Sequence, residues 1–274
     1  MIGSKRMDKA CYREYRIPAA LTPFVKLIWS LEGDHFIQGG QSERILPDGC
    51  VELVFHFRDP FYTAFPRRQY YVQPQAFFVG QMNDFIEIAP HGRIGFVAVR
   101  FSAQGAYRFL PGSLKRVAGA VVATKEIWKG SDAEIIDRLA TAPTMCHRVA
   151  VIEELLTHHL ALTQRDDILV DRALSLIRVH AGTLRITELA SAVGASMRQL
   201  NRRFESAVGV SPKQFSRVSR FVHALNELRS HRKMPLTDIA LNCGYFDQAH
   251  FNHEFRQFAG FQPTELFTRT NVAF

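Results

Sequence analysis

The last third of this chain repeats itself, and that repeat limits what it can fold into more than any other feature. Leu189, Ala190 and Gly194 recur 50 positions later as Ile239, Ala240 and Gly244. Leu200, Phe204, Gly209 and Pro212 recur 51 positions later as Phe251, Phe255, Gly260 and Pro263. Matches in register, with one residue inserted beside a glycine, indicate two copies of one supersecondary unit.

Each copy has a physical reading. In the first, Thr187 caps a short helix carrying Leu189, Ala190 and Val193, and Gly194 ends it. Ser196 opens a second helix, with Gln199 completing a capping box; Leu200, Phe204 and Val208 face inward and Gly209 terminates it. Arg198, Gln199, Asn201, Arg202 and Arg203 are left on the outer face. A short helix, a glycine turn and a second helix with a basic and amide outer face make a helix-turn-helix, whose second helix enters the DNA major groove. Arginine pairs bidentately with guanine, and asparagine or glutamine with adenine.

Ser211 and Pro212, reinforced by Gln214, then open a helix that runs to about His231, before Pro235. About twenty residues make a rod of about 30 Å, close to the roughly 34 Å between successive major grooves on one face of DNA. Such a rod can hold two reading heads one turn apart. The charge is uneven along this region. Ser196 to Lys233 carries nine basic residues against Glu205 and Glu227, a local +7, within a chain of net charge +8. Met234 to Leu266 has Arg256 against Asp238, Asp247, Glu254 and Glu265, a local −3.

With these residues in view, the segment from about Asp167 to Phe267 resembles the DNA-binding domain of AraC-type transcriptional regulators, two helix-turn-helix units joined by a long helix. The resemblance is carried by Ile186 to Ala190, Arg203-Phe204 and Gly209 to Pro212 in the first unit. In the second it is carried by Asp238 to Ala240, Gly244-Tyr245, His250-Phe251, Phe255-Arg256 and Gly260 to Pro263. It implies base contacts from Arg198, Asn201 and Arg202, with Gln199 beside them, and from Gln248, His250 and His253. Arg203, Lys213, Arg217, Arg220 and Arg256 are the expected phosphate contacts. The sequence departs from the family at His253, where arginine is common, and at Asp247, where serine usually caps the second recognition helix. Both changes predict a second head weaker than the first.

The first half reads differently. Val25 to Leu31, Cys50 to Phe57, Ala76 to Val79, Phe85 to Ile88 and Ile94 to Phe101 are candidate strands, and Pro47-Asp48-Gly49 is a tight turn ahead of the second. Helical patterns follow at Ala133 to Leu139 and Cys146 to Leu162. In the latter, Val149, Ile152, Leu156 and Leu160 form an apolar stripe that either packs on its own domain or makes a dimer seam. Arg44 to Leu53, Pro18 to Gly33 and Gly95 to Phe101 resemble an uncharacterised class of N-terminal regulatory domain attached to AraC-type heads. That resemblance implies a cupin-like β-barrel followed by helices and names no ligand. The expected architecture is therefore α+β, with a sensing or dimerisation domain over residues 1–165 and an all-α DNA-binding domain over residues 166–274.

On the strand from Cys50, Glu52 and His56 share one face, and Arg100 ends another strand. They line a polar ligand pocket, or else form an ordinary ion pair or edge residues facing water. Metal-binding cupins use a His-x-His pair, which this sequence lacks, and the cysteines at 11, 50, 146 and 243 are too scattered for a zinc site or a disulfide framework. No metal or cofactor is expected. No apolar run approaches the length of a membrane span, and the polar stretch Met1 to Ala10 is no signal peptide, so a cytoplasmic protein is expected. The partners expected are double-stranded operator DNA, RNA polymerase, a small-molecule effector and a second copy in a homodimer. The competing class is a cupin-type small-molecule enzyme with an accessory DNA-binding module.

Overall fold

The computed structural model describes residues 10–34, 42–66, 68–128, 132–163, 165–269 and 271–273. The N-terminal stretch read as polar lies outside them except for Ala10. Among the described residues the first half supplies ten strands: β1 (Cys11–Tyr15), β2 (Val25–Gly33), β3 (Glu43–Ile45), β4 (Val51–His56), β5 (Tyr62–Ala64), β6 (Tyr71–Val72), β7 (Ala76–Val79), β8 (Ile86–Ala89), β9 (Ile94–Phe101) and β10 (Val121–Ala123). An eleventh, β11 (Val272–Ala273), comes from the far end of the chain. They form two sheets, ordered β1-β2-β9-β4-β7-β10 and β11-β3-β8-β5-β6. The expected barrel is thus realised as two facing ladders. Neighbouring strands are antiparallel except that β11 joins β3 in parallel, Val272 opposite Arg44.

The two-residue period of the strands sorts their side chains into two layers. On β4, Val51, Leu53 and Phe55 face one way, and on β9 Val97, Val99 and Phe101 join them. That face packs on the helices α1 (Thr124–Trp128), α2 (Ala133–Thr141) and α3 (Met145–Leu162). The alternate residues, Val54 on β4, Phe96 and Ala98 on β9 and Phe77 and Val79 on β7, face the second sheet. The stripe of α3 is part of the first layer: Val149, Ile152 and Leu156 are buried there and Leu160 packs against it. Its own sheet covers this stripe, so no dimer seam is available on it. The turn at Asp48-Gly49 forms as expected, with Gly49 at φ +75° and the Cys50 N–H donating to Asp48 Oδ1 at 2.9 Å.

Among the described residues the second half holds six α-helices: α4 (Ile168–Val179), α5 (Ile186–Ala192), α6 (Met197–Val208), α7 (Pro212–Ser230), α8 (Leu236–Asn242) and α9 (Gln248–Ala259). α4, α5 and α6 share one core built on Leu174, Leu189, Leu200 and Phe204. α8 and α9 share another built on Ile239, Phe251, Phe255 and Phe258. α7 contributes Phe215 to the first core and Val218, Phe221, Leu225 and Leu228 to the second, so one rod serves both units. The sequence repeat recurs in the backbone. Gly194 and Gly244, after α5 and α8, have φ of +67° and +75°, and Gly209 and Gly260, after α6 and α9, have +99° and +76°.

The helix starts differ from expectation in two places. α5 begins at Ile186, which leaves Thr187 inside the first turn; the Glu188 side chain accepts the Arg185 N–H at 3.3 Å instead. At α7, Ser211 is the cap as expected, but the Gln214 side chain accepts from Arg217 Nη1 at 3.1 Å rather than closing a box. Among the described residues no helix is long and apolar enough to cross a membrane.

Candidate functional site

Two sites are legible: an outer face on the helical half and a cavity between the two sheets. On α6 the capping box is in place, with the Gln199 N–H on Ser196 Oγ at 3.2 Å and the Ser196 N–H on Gln199 Oε1 at 3.1 Å. This leaves Gln199 less free to read a base than its exposure suggests. Arg198 and Arg202 are exposed and Asn201 half-buried on the same helix. Arg198, Arg202 and Lys213 make no ion pair among the described residues. Arg203 is drawn aside by two contacts of 2.7 Å to Asp167, the cap of α4.

Two of the expected phosphate contacts lie elsewhere. Arg217 Nε reaches Glu254 Oε2 at 2.9 Å and Arg220 Nη2 reaches Glu254 Oε1 at 2.9 Å, and Glu254 is 3% exposed. Arg217 also donates to Gln257 at 2.6 Å. These arginines therefore tie α7 to α9, because a carboxylate buried in the second unit needs counter-charges. Counting both arginines of the +7 run as phosphate contacts misses this bond, because their partner Glu254 lies in the next unit.

The second head is more self-engaged than the first. Asp247 caps α9, accepting the His250 N–H at 2.7 Å. Gln248 Oε1 accepts from Thr237 Oγ1 at 2.7 Å. His250 Nδ1 accepts the Phe246 N–H at 3.4 Å and its ring lies against Tyr245. His253 and Arg256 are exposed on α9. Phe246, in the turn between α8 and α9, is 85% exposed, and no periodicity argument singled it out.

The N-terminal half grips the end of each recognition helix. A 3-10 turn at Leu114–Arg116 lies on α6, with Lys115 Nζ 2.8 Å from Glu205 Oε2, and a Cβ at Gly209 would meet the Leu114 carbonyl at 3.1 Å. At α9, Arg44 of β3 donates to the Ala259 carbonyl at 3.1 Å, and a Cβ at Gly260 would meet Phe85 and Arg44 at 2.3 and 2.7 Å. Both glycines that end recognition helices thus admit the other domain closely.

The cavity between the sheets has a volume of about 310 Å³. Glu52, His56 and Arg100, singled out from sequence, all line it. Glu52 and Arg100 are opposite residues of β4 and β9, and Arg100 Nε and Nη2 lie 2.9 and 2.8 Å from Glu52 Oε1. The third guanidinium nitrogen, Nη1, lies 3.5 Å from Asp48 Oδ2. Pocket and ion pair are therefore both present. His56 is buried rather than at a sheet edge, boxed by the rings of Phe61, Phe77 and Phe96, with Nε2 2.9 Å from Gln73 Oε1. Burial lowers its pKa to about 4, so the imidazole is neutral near pH 7. Trp29, Gln73 and Glu43 also line the cavity; Glu43 is on the three-residue β3, Gln73 lies just past the two-residue β6, and Trp29 sits in a stretch of β2 buried on both faces, so no two-residue period marks them. Among the described residues no group of three or more His, Cys, Asp and Glu side chains is placed to hold a metal ion.

Residues 189–269 match the family described as "Helix-turn-helix domain", and residues 13–123 match a "Domain of unknown function (DUF6597)". The HTH-type transcriptional activator RhaS of Escherichia coli O139:H28 is 32% identical over 78 residues, 28% of this chain and 28% of that protein. RhaS of Klebsiella pneumoniae (strain 342) is 32% identical over 79 residues, 29% of this chain and 28% of that one. The chain thus matches only about 28% of the length of these relatives. Among solved structures, the C-terminal domain of AraT, a response regulator from Geobacillus stearothermophilus, is 27% identical, with TM-score 0.36 over 39% of this chain and 89% of that one. ToxT from Vibrio cholerae is 8% identical, with TM-score 0.48 over 95% and 98%. Residues 189–269 form a helix-turn-helix domain, carried behind a domain of unknown function at residues 13–123.

Proposed function

We propose that the chain is a sequence-specific DNA-binding transcription regulator whose N-terminal domain, residues 1–165, senses a small molecule and whose domain at residues 166–274 reads an operator. The observation that carries this reading is the pair of helix-turn-helix units on one connecting helix, α7, with Arg198 and Arg202 exposed on the first recognition helix. Arg198, Asn201 and Arg202 read bases in the first head, with Gln199 held back by its cap. Gln248, His250 and His253 are the base-facing candidates of the second. Arg203, Lys213 and Arg256 serve phosphates, while Arg217 and Arg220 are structural. The curated relatives are transcriptional activators, and we extend that role to this chain, as regulator rather than enzyme, acting in the cytoplasm with RNA polymerase as its further partner. A homodimer would use a surface other than the covered stripe of α3.

The cavity is placed to bias the heads. On β3, Glu43 and Ile45 line it, while Arg44 between them holds α9, and Leu46 just beyond belongs to the α7–α9 core. An occupant pressing on one face of this strand moves the other face against the second head.

The test is binding of the purified full chain to duplexes selected from its source genome, followed as a function of salt. With Arg217 and Arg220 committed to Glu254, three of the five expected phosphate contacts remain, so log affinity should fall against log salt with a slope near −3. Absence of binding to any genomic duplex would remove the proposal.

A further inference from the structure

The ligand chemistry of the inter-sheet cavity follows from which of its polar groups are already spoken for. A carboxylate or phosphate ligand needs a cation to receive it. Arg100 is the basic residue among those lining the cavity, and each of its three guanidinium nitrogens already faces a carboxylate, two on Glu52 and one on Asp48. An anion entering here would have to break that cross-strand pair, leaving Glu52 and itself as two negative charges around one arginine. Nor is there a second cation to recruit, because His56 stays neutral: its site is apolar and its neighbours are phenylalanine rings.

A cationic ligand is disfavoured by the converse argument. Glu52 is neutralised by Arg100, and Glu43 is not free either. An ammonium group brings only donors, whereas the indole N–H of Trp29, buried and without a partner, needs an acceptor. The second unpartnered atom is His56 Nδ1. With Gln73 Oε1 accepting from Nε2, the imidazole proton sits on Nε2 and Nδ1 is an acceptor that needs a donor. A hydroxyl supplies both, and a carbonyl supplies one. The rest of the lining is aromatic and aliphatic, and the volume of about 310 Å³ is at the small end for ligand sites.

We infer that the cavity binds a compact, uncharged ring compound bearing hydroxyl or carbonyl oxygen, and discriminates against carboxylates and amines of the same shape. This rests on the reading of the cavity as the sensing site. The probes are three molecules built on one phenol ring: 4-hydroxyacetophenone, 4-hydroxybenzoate and tyramine, each titrated calorimetrically into the full chain. The expected result is that 4-hydroxyacetophenone binds at least tenfold more tightly than either charged analogue. Glu52→Gln, which releases Arg100 from its main carboxylate, should improve 4-hydroxybenzoate binding at least tenfold with little effect on 4-hydroxyacetophenone. Val54→Trp, which fills the cavity from β4, should abolish binding of the neutral probe. Equal or tighter binding of 4-hydroxybenzoate or tyramine by the unaltered protein would overturn the ligand class while leaving a sensing cavity in place. Binding of none of the three, or binding undiminished by Val54→Trp in a variant that melts cooperatively, would overturn the sensing site itself.

Discussion

Arg44 and Ala259 stand 215 positions apart in the chain, and the Arg44 guanidinium donates to the Ala259 carbonyl across 3.1 Å at the end of the second recognition helix. The same guanidinium bonds Glu87 at 2.6 Å and lies 3.9 Å above the ring of Phe85. A terminal carbonyl of a helix is an orphan acceptor, and a cation suits that end of the helix dipole. Arg44→Ala should therefore loosen the second head from the sheet domain at a cost of about 1–3 kcal/mol, since hydrogen bonds to charged groups are of that size. Amide hydrogen exchange over residues 255–261 should accelerate in this variant, while exchange in α6 stays as it was.

Glu254 makes a second, internal tie. It is buried between Arg217 and Arg220, so Glu254→Ala leaves two arginines without a counter-charge. Breaking a buried pair from one side costs about 3–5 kcal/mol. Urea unfolding followed by circular dichroism should show a loss of that size; a loss below about 1 kcal/mol would mean the arginines find water instead, and would return them to the phosphate-binding set.

How much of this was readable beforehand depended on pattern length. Ala76–Val79 and Ile94–Phe101 are legible to the residue because apolar runs bounded by turns fill them, broken in the second only by Arg100 near its end. β3, β5, β6 and β10 have two or three residues each and no periodicity to detect. The pairing of β11 with β3 is non-local and left no trace in either segment. Glu52 and His56 are legible because a two-residue period fixes a common face, and Arg100 because it is the charge at the end of an apolar strand, but their commitments are not. That Arg100 faces Glu52 follows only from the register of β4 against β9. Likewise charge counting found the +7 segment without seeing that Glu254, in the next unit, claims two of its arginines.

His56 makes stability depend on acidity. Its folded pKa is lowered to about 4 from an ordinary 6.5, chiefly by burial. As pH falls below about 6.5 the unfolded chain takes up a proton that the folded chain refuses until about 4, so its contribution is whole above that window and is lost through it. By pH 5 the loss should reach about 2 kcal/mol. His56→Gln removes it. Urea midpoints at about pH 7.5 and pH 5 should therefore move further in the unaltered protein than in the variant, and equal shifts would contradict the buried, neutral imidazole.

The two heads should contribute unequally to DNA affinity. Arg202 is exposed within the basic segment, whereas His253 is exposed on a helix whose surroundings are acidic. Arg202→Ala should cost about 1–3 kcal/mol and relax preference at one base pair. His253→Ala should cost less than about 1 kcal/mol, because a neutral side chain on an acidic segment loses little phosphate attraction. Fluorescence anisotropy of both variants on one operator at pH 8 measures this; equal losses would contradict the ranking.

If the two helix-turn-helix units on α7 read one operator, selection of a randomised duplex pool by the purified full chain should enrich a site with two sequence blocks about one helical turn apart. The stronger block should lose one specified base when Arg202 is replaced by alanine. Enrichment of no motif, or of a motif unchanged by Arg202→Ala and by Arg198→Ala, would contradict that reading.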